Sequence, residues 1–157
     1  MQWSLPAISV ADEEVFLCHG IPDSDTTYFL EDVSSAHPQV RSEAAITELA
    51  ADVRQPFLLC GHSHIARVVQ LSSGRLIVNP GSGGVGVPAY DDSTPIPHVM
   101  ENYSPHASYA VLEQNDSGWS VSLHRVAYDW NRAAKQARAL GRNDWAYAIE
   151  TGRVEHK

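Results

Sequence analysis

A chain of 157 residues, 43% of them hydrophobic, is long enough to bury a core as one globular domain over residues 1–157 without disulfide or metal staples. Eleven basic against nineteen acidic side chains give a net charge of −8, which excludes the positive footprint of a nucleic-acid scaffold or of docking to an acidic membrane surface. Two cysteines, Cys18 and Cys60, rule out a disulfide framework, and no apolar run approaches the roughly 20 residues of a membrane span, so a cytoplasmic protein with buried thiols is expected.

Residues 15–18 (Val-Phe-Leu-Cys) form a short apolar run stopped by His19-Gly20-Ile21-Pro22, the pattern of a central strand ending in a turn. A short helix is expected through residues 28–31. Residues 39–53 predict a longer surface helix, with Ile46, Leu49, Ala50 and Val53 at i, i+3, i+4, i+7 and Pro56 closing it. Residues 57–60 (Phe-Leu-Leu-Cys) repeat the first run and are cut off by Gly61-His62-Ser63-His64. Two buried strands joined by a helical connection are most simply parallel neighbours, so both carboxyl ends lie on one edge, where open α/β sheets bind ligands. Residues 66–71 and 75–79 read as a hairpin around Ser72-Ser73-Gly74. The segment from Pro80 to Pro105 carries five prolines and is expected to be an irregular loop. A second hairpin pairs residues 108–113 with 119–127. Helices are expected over 131–140, stopped by Gly141, and over 144–151, capped by Asn143 and stopped by Gly152.

The chain holds eight histidines. Imidazole is the commonest transition-metal ligand and titrates near neutral pH, so their placement carries the functional information. His62 and His64 follow a glycine at i and i+2 and point to one side if the backbone is extended. With His19 from the neighbouring strand end they offer three imidazoles at one edge, a donor set suited to Zn²⁺, Mn²⁺, Fe or Ni²⁺.

Strand-Leu-Cys-His-Gly, then strand-Cys-Gly-His-Ser-His, then a hairpin ending Asn79-Pro80-Gly81-Ser82, resembles the carboxyl half of the calcineurin-like metallophosphoesterases. Tyr128-Asp129 leading into an Ala-rich helix, then Trp145 to Gly152-Arg153, resembles the small prokaryotic members. The resemblance implies an α/β fold, the carboxyl-terminal part of a four-layer αββα sandwich with a mixed sheet and flanking helices, its amino-terminal sheet missing. In that family two metal ions about 3.5–4 Å apart bind phosphate and activate water. By position, His19 and His62 resemble ligands of one metal and His64 a ligand of the other, with Asn79, Gly81 and Ser82 beside the substrate.

The family's amino half supplies Asp-x-His, Gly-Asp-x-x-Asp and Gly-Asn-His-Asp/Glu. None is present: no Gly is followed by Asp or Asn, and no Asp has a His two residues later. Two adjacent dications need bridging carboxylates, so three imidazoles alone suit a single ion. The expected function is hydrolysis of phosphate esters by metal-activated water, with activity of these 157 residues in doubt. The alternatives are a non-catalytic metal-binding or interaction module, and a half-enzyme completed in trans. A missing sheet also implies a bared apolar face, expected to be covered by self-association or by a partner chain.

Gly81-Ser82-Gly83-Gly84-Val85-Gly86 matches Gly-x-Gly-x-x-Gly, but it runs into Val87-Pro88 rather than opening a helix, which argues against dinucleotide binding. His37, His124 and His156 read as structural or solvated. His98, His106, Asp91, Asp92 and Glu101 are secondary candidates for facing the site, and no nucleophile elbow supports a serine hydrolase.

Overall fold

The computed structural model describes residues 13–35, 37–82, 98–116 and 118–155. The two apolar runs form β1 (Val15–Leu17) and, later in the chain, β4 (Phe57–Leu59). They are parallel neighbours with Val15 opposite Phe57 and Leu17 opposite Leu59, as their shared pattern predicts. Cys18 N–H donates to Leu59 O at 3.0 Å, carrying the ladder one residue past the end of β1.

Between them the chain departs from the expected helix over 28–31. Tyr28, Phe29 and Leu30 are all buried, at 2%, 2% and 0% exposure. Three consecutive large buried side chains cannot share one helical stripe, and the backbone instead leads into β2 (Glu31–Asp32), antiparallel to β3 (Gln39–Val40). That pairing takes the first residues of the long helix expected over 39–53. The helix α1 spans Glu43–Leu49, opened by Ser42, whose Oγ accepts the Ala45 N–H at 3.3 Å. The apolar stripe nevertheless lands where its spacing puts it: Ile46, Ala50 and Val53 are core residues and Leu49 packs against them.

The first hairpin is β5 (Arg67–Gln70) and β6 (Leu76–Asn79), with β6 also parallel to β4, so the sheet order is β1-β4-β6-β5. Its two faces have different fates. The row Phe16, Leu58, Ile77, Val69 faces α1 and, with Cys18, Cys60, Phe29 and Leu30, makes the main core. The opposite row is Leu17, Leu59, Val78, Val68. Val78 is fully buried, whereas the ends of the row stay open, Leu17 at 37% and Val68 at 38% exposure.

The second hairpin is β7 (Ala107–Asn115) with β8 (Gly118–Val126), paired as a separate ribbon. It touches the open face of the main sheet through Trp119, whose ring lies 4.5 Å from that of Phe57. Two helices follow, α2 (Trp130–Ala139) and α3 (Asn143–Thr151). They pack through Ala134, Ala146, Ala148 and Ile149, and Arg138 grips Glu150 with two hydrogen bonds of 2.6 Å. Asn143 is the first residue of α3 rather than its cap; Arg142 takes the cap position, and its side chain bonds Asp144 instead of the helix backbone. Gly152 ends α3 in the left-handed conformation, φ 67°, as expected. Its carbonyl accepts from Asn102 N–H at 3.2 Å and Tyr103 N–H at 3.0 Å, which ties the end of the proline-rich segment to the helical tail. Residues 83–97 of that segment lie outside the described residues, so the glycines at 83, 84 and 86, Asp91 and Asp92 do too.

Candidate functional site

Parallel strands in register bring their carboxyl ends together. Past β1 the chain reaches His19, and past β4 it reaches Gly61 and His62. Gly61 N–H donates to His19 O at 2.7 Å, so the two histidine-bearing turns are bonded backbone to backbone. The His19 and His62 rings meet edge to face, centroids 5.1 Å apart. On its other side His62 stacks on the buried ring of Tyr28 at 4.8 Å. Tyr28 Oη lies 3.0 Å from His98 Nε2, which brings this secondary candidate to the edge of the cluster.

The backbone of the motif is not extended. His62 has φ 61° and His64 φ 59°, both left-handed, with Ser63 between them. Such a conformation costs a non-glycine residue roughly 1–2 kcal/mol, so other contacts must hold it. Ser63 is 1% exposed. Asn79, at the end of β6, donates from Nδ2 to Gly61 O at 2.7 Å and to Ser63 Oγ at 2.9 Å, and its Oδ1 accepts Gly81 N–H at 2.9 Å. Asn79 is fully buried, so its amide binds the two loops to each other. Gly81 has φ 85°, and a Cβ there would strike Ser108 Oγ, so this position requires glycine. Ser82 is buried, and its carbonyl accepts both the N–H and the Oγ–H of Ser108, at 2.8 and 3.1 Å.

Among the described residues no group of three His, Cys, Asp or Glu side chains is arranged to hold a metal ion. His19 and His62 are brought together; His64 does not complete a three-donor set with them. Two adjacent imidazoles are chemically apt for Zn²⁺, Mn²⁺, Fe or Ni²⁺, but two donors fall short of a protein metal centre. The described residues therefore do not by themselves fit a complete site. The left-handed turns at His62 and His64 replace the one-sided presentation that an extended backbone gives.

The thiols do not fill the gap. Cys18 and Cys60 alternate onto the α1 face of the sheet and are buried in the core. Burial first, with the Asp25 charge second, pushes the Cys18 thiol up to about 12, and burial likewise raises Cys60 well above the ordinary thiol range. Both stay protonated, whereas a metal needs the thiolate. Glu101 is committed elsewhere, its Oε1 accepting Val154 N–H at 2.7 Å. His106 bonds Ser104 Oγ and lies against Trp130, and His124 stacks on Tyr109 across the β7–β8 ribbon.

One residue of the site escapes sequence reasoning. Glu31, in the segment expected to be helical, is 1% exposed beneath the motif. Its Oε1 accepts from Arg67 Nε at 3.1 Å. Burial pushes its carboxyl up, opposed by the Ser63 hydroxyl, then by Arg67 and Arg41. Immediately after His64 the chain lines a cavity of about 620 Å³, with Ile65, Arg67, Asn102, Tyr103 and Arg125 on its walls. Arg67, paired with Glu31, and Arg125 share this wall with Glu101, so both charge signs line the cavity.

No family model and no curated protein matches the chain. Among solved structures it is similar to a metallophosphoesterase from Sphaerobacter thermophilus, 21% identical over 89% of this chain and 55% of that one, TM-score 0.57. It aligns more loosely with zinc-complexed Vps29 from Entamoeba histolytica, 24% identical over 55% and 47% of the two chains, TM-score 0.33. Vacuolar protein sorting 29 from Cryptosporidium parvum aligns at 18% identity over 57% and 46%, TM-score 0.27. The first similarity establishes a metallophosphoesterase-like α/β fold, and the chain spans about half the length of that structure.

Proposed function

We propose that these 157 residues are the imidazole-bearing carboxyl half of a phosphoesterase centre of the calcineurin-like type. His19 and His62 ligate one divalent transition metal and His64 takes part in binding a second. The bridging carboxylates and remaining ligands come from polypeptide outside this sequence, whether in the same chain or in a partner. The substrate is a phosphate ester, met by metal ions and by Arg67 and Arg125. The single observation that carries this reading is the edge-to-face approach of His19 and His62, 5.1 Å apart, at the carboxyl ends of adjacent parallel strands. The incomplete donor set then follows from the chain's covering 55% of the metallophosphoesterase it resembles in fold.

The test is hydrolysis of chromogenic phosphate mono- and diesters with Mn²⁺. One sample is the 157-residue chain; the other joins it to polypeptide carrying Asp-x-His and Gly-Asn-His motifs, from upstream coding sequence or a co-purifying chain. The reading expects turnover only in the joined sample, lost in His62→Ala. Turnover by the chain alone that survives His62→Ala contradicts it. A non-catalytic interaction module, the second reading, is favoured by the open ends of the Leu17–Val68 row. It predicts no turnover in either sample.

A further inference from the structure

We propose that Glu31 is a positioning residue that holds the His62-Ser63-His64 turn in its left-handed form by accepting a hydrogen bond from the Ser63 hydroxyl. The direction of the bonds supports this. Asn79 Nδ2 is a donor only, so Ser63 Oγ accepts at 2.9 Å and must send its own proton elsewhere. The carboxyl of Glu31 is the acceptor beside it, close enough that the Ser63 hydroxyl favours its charged form. Its Oε2 is buried with no hydrogen-bond partner, leaving a lone pair for that proton.

The energetics point the same way. A carboxylate 1% exposed and paired with an Arg67 side chain 29% exposed is weak evidence for stability, because desolvation offsets the Coulomb gain. Apolar residues replacing Glu31 and Arg67 together serve the core about as well. What the carboxylate supplies instead is an acceptor under a turn whose two histidines sit in a conformation that ordinary residues avoid. Arg41 reinforces the arrangement: its Nε donates to Tyr28 O at 3.2 Å, and Tyr28 stacks on His62. Arg67, Glu31, Ser63 and Asn79 thus form one polar line from the cavity wall to the motif. The inference rests on the metal reading above only for the ligand that the turn serves.

The experiment reads histidine ring ¹⁵N and ¹H signals of the metal-free chain, alongside Co²⁺ affinity of the chain joined to its carboxylate-bearing half. Glu31→Gln and Ser63→Ala should each displace the His62 and His64 ring signals in the same sense, leaving His106 and His124 unmoved. The double variant should move them no further than Ser63→Ala alone. Co²⁺ affinity should fall about 10-fold or more in each, the usual cost of losing an outer-shell partner. If Glu31→Gln fails to fold, Glu31→Met with Arg67→Met removes both charges together and leaves none unpaired; it should fold and still displace the two signals. Wild-type ring signals in a folded Glu31 variant overturn the proposal, as does loss of folding in both variants, which makes Glu31 a core stabiliser. Failure of the wild-type chain, joined to its carboxylate-bearing half, to bind Co²⁺ overturns the metal reading instead, and the ring spectra still decide on Glu31.

Discussion

At the scale of single residues the sharpest contrast is between neighbours on one strand end. Cys18 and His19 are adjacent, yet alternation sends the thiol into the core and leaves the imidazole at the exposed edge. The thiol's folded value near 12 exceeds its ordinary 9.0. Because an unfolded chain ionises this group first, the thiol's contribution to stability is complete below pH 9 and is lost as pH rises toward 12. Urea midpoints of the native chain should therefore fall more steeply across that window than those of Cys18→Ala; parallel slopes would contradict the burial argument. Gly152 is a second residue-scale case, with φ 67° and the Ser104 carbonyl oxygen 2.6 Å from where a Cβ would stand. Gly152→Ala should lower stability by at least about 1–2 kcal/mol in chemical denaturation. Sequence made the histidine positions legible because strand ends are marked by abrupt apolar-to-glycine changes. It hid Glu31, whose burial depends on Arg67 and Ser63 more than thirty residues away, and it hid the left-handed turns at His62 and His64, which are held by Asn79 from another strand.

Among elements, parallel pairing of β1 and β4 and both hairpins were legible from short apolar runs and turn chemistry. The helix lengths were not. Ala- and Glu-rich composition carries the α1 pattern back to residue 39, but Gln39 and Val40 pair with β2, a tertiary contact that propensity does not contain. Ser42 then marks the true start, and Ser42→Ala should cost about 1 kcal/mol of stability in thermal or urea unfolding. Trp119 carries a contact from the β7–β8 ribbon to Phe57 of the main sheet. Trp119→Ala should lower stability by about 2–3 kcal/mol, at or below the low end for large aromatic deletions because the side chain is only half-buried. Amide exchange should rise in Ala107–Asn115 and Gly118–Val126 before it rises in β4. Equal rises in all three would show that the ribbon is not a separate unit.

For the whole molecule the sheet's two faces state the problem. One is sealed by α1, while the Leu17, Leu59, Val78, Val68 row is covered at its centre and open at both ends. The metallophosphoesterase of similar fold is a longer chain, of which this one covers 55%. The open row is expected to be covered, so sedimentation should show concentration-dependent association, weakened by Leu17→Asp without loss of cooperative unfolding. A dilute, well-behaved monomer that keeps its face open at all concentrations contradicts that expectation. The central claim is that His19 and His62 belong to one metal site whose other ligands lie outside this sequence. Its most direct test is Co²⁺ titration followed by visible absorption, on the chain joined to its carboxylate-bearing half. The account predicts binding that falls about 10-fold or more in both His19→Ala and His62→Ala. Unchanged Co²⁺ spectra and affinity in those two variants would contradict it.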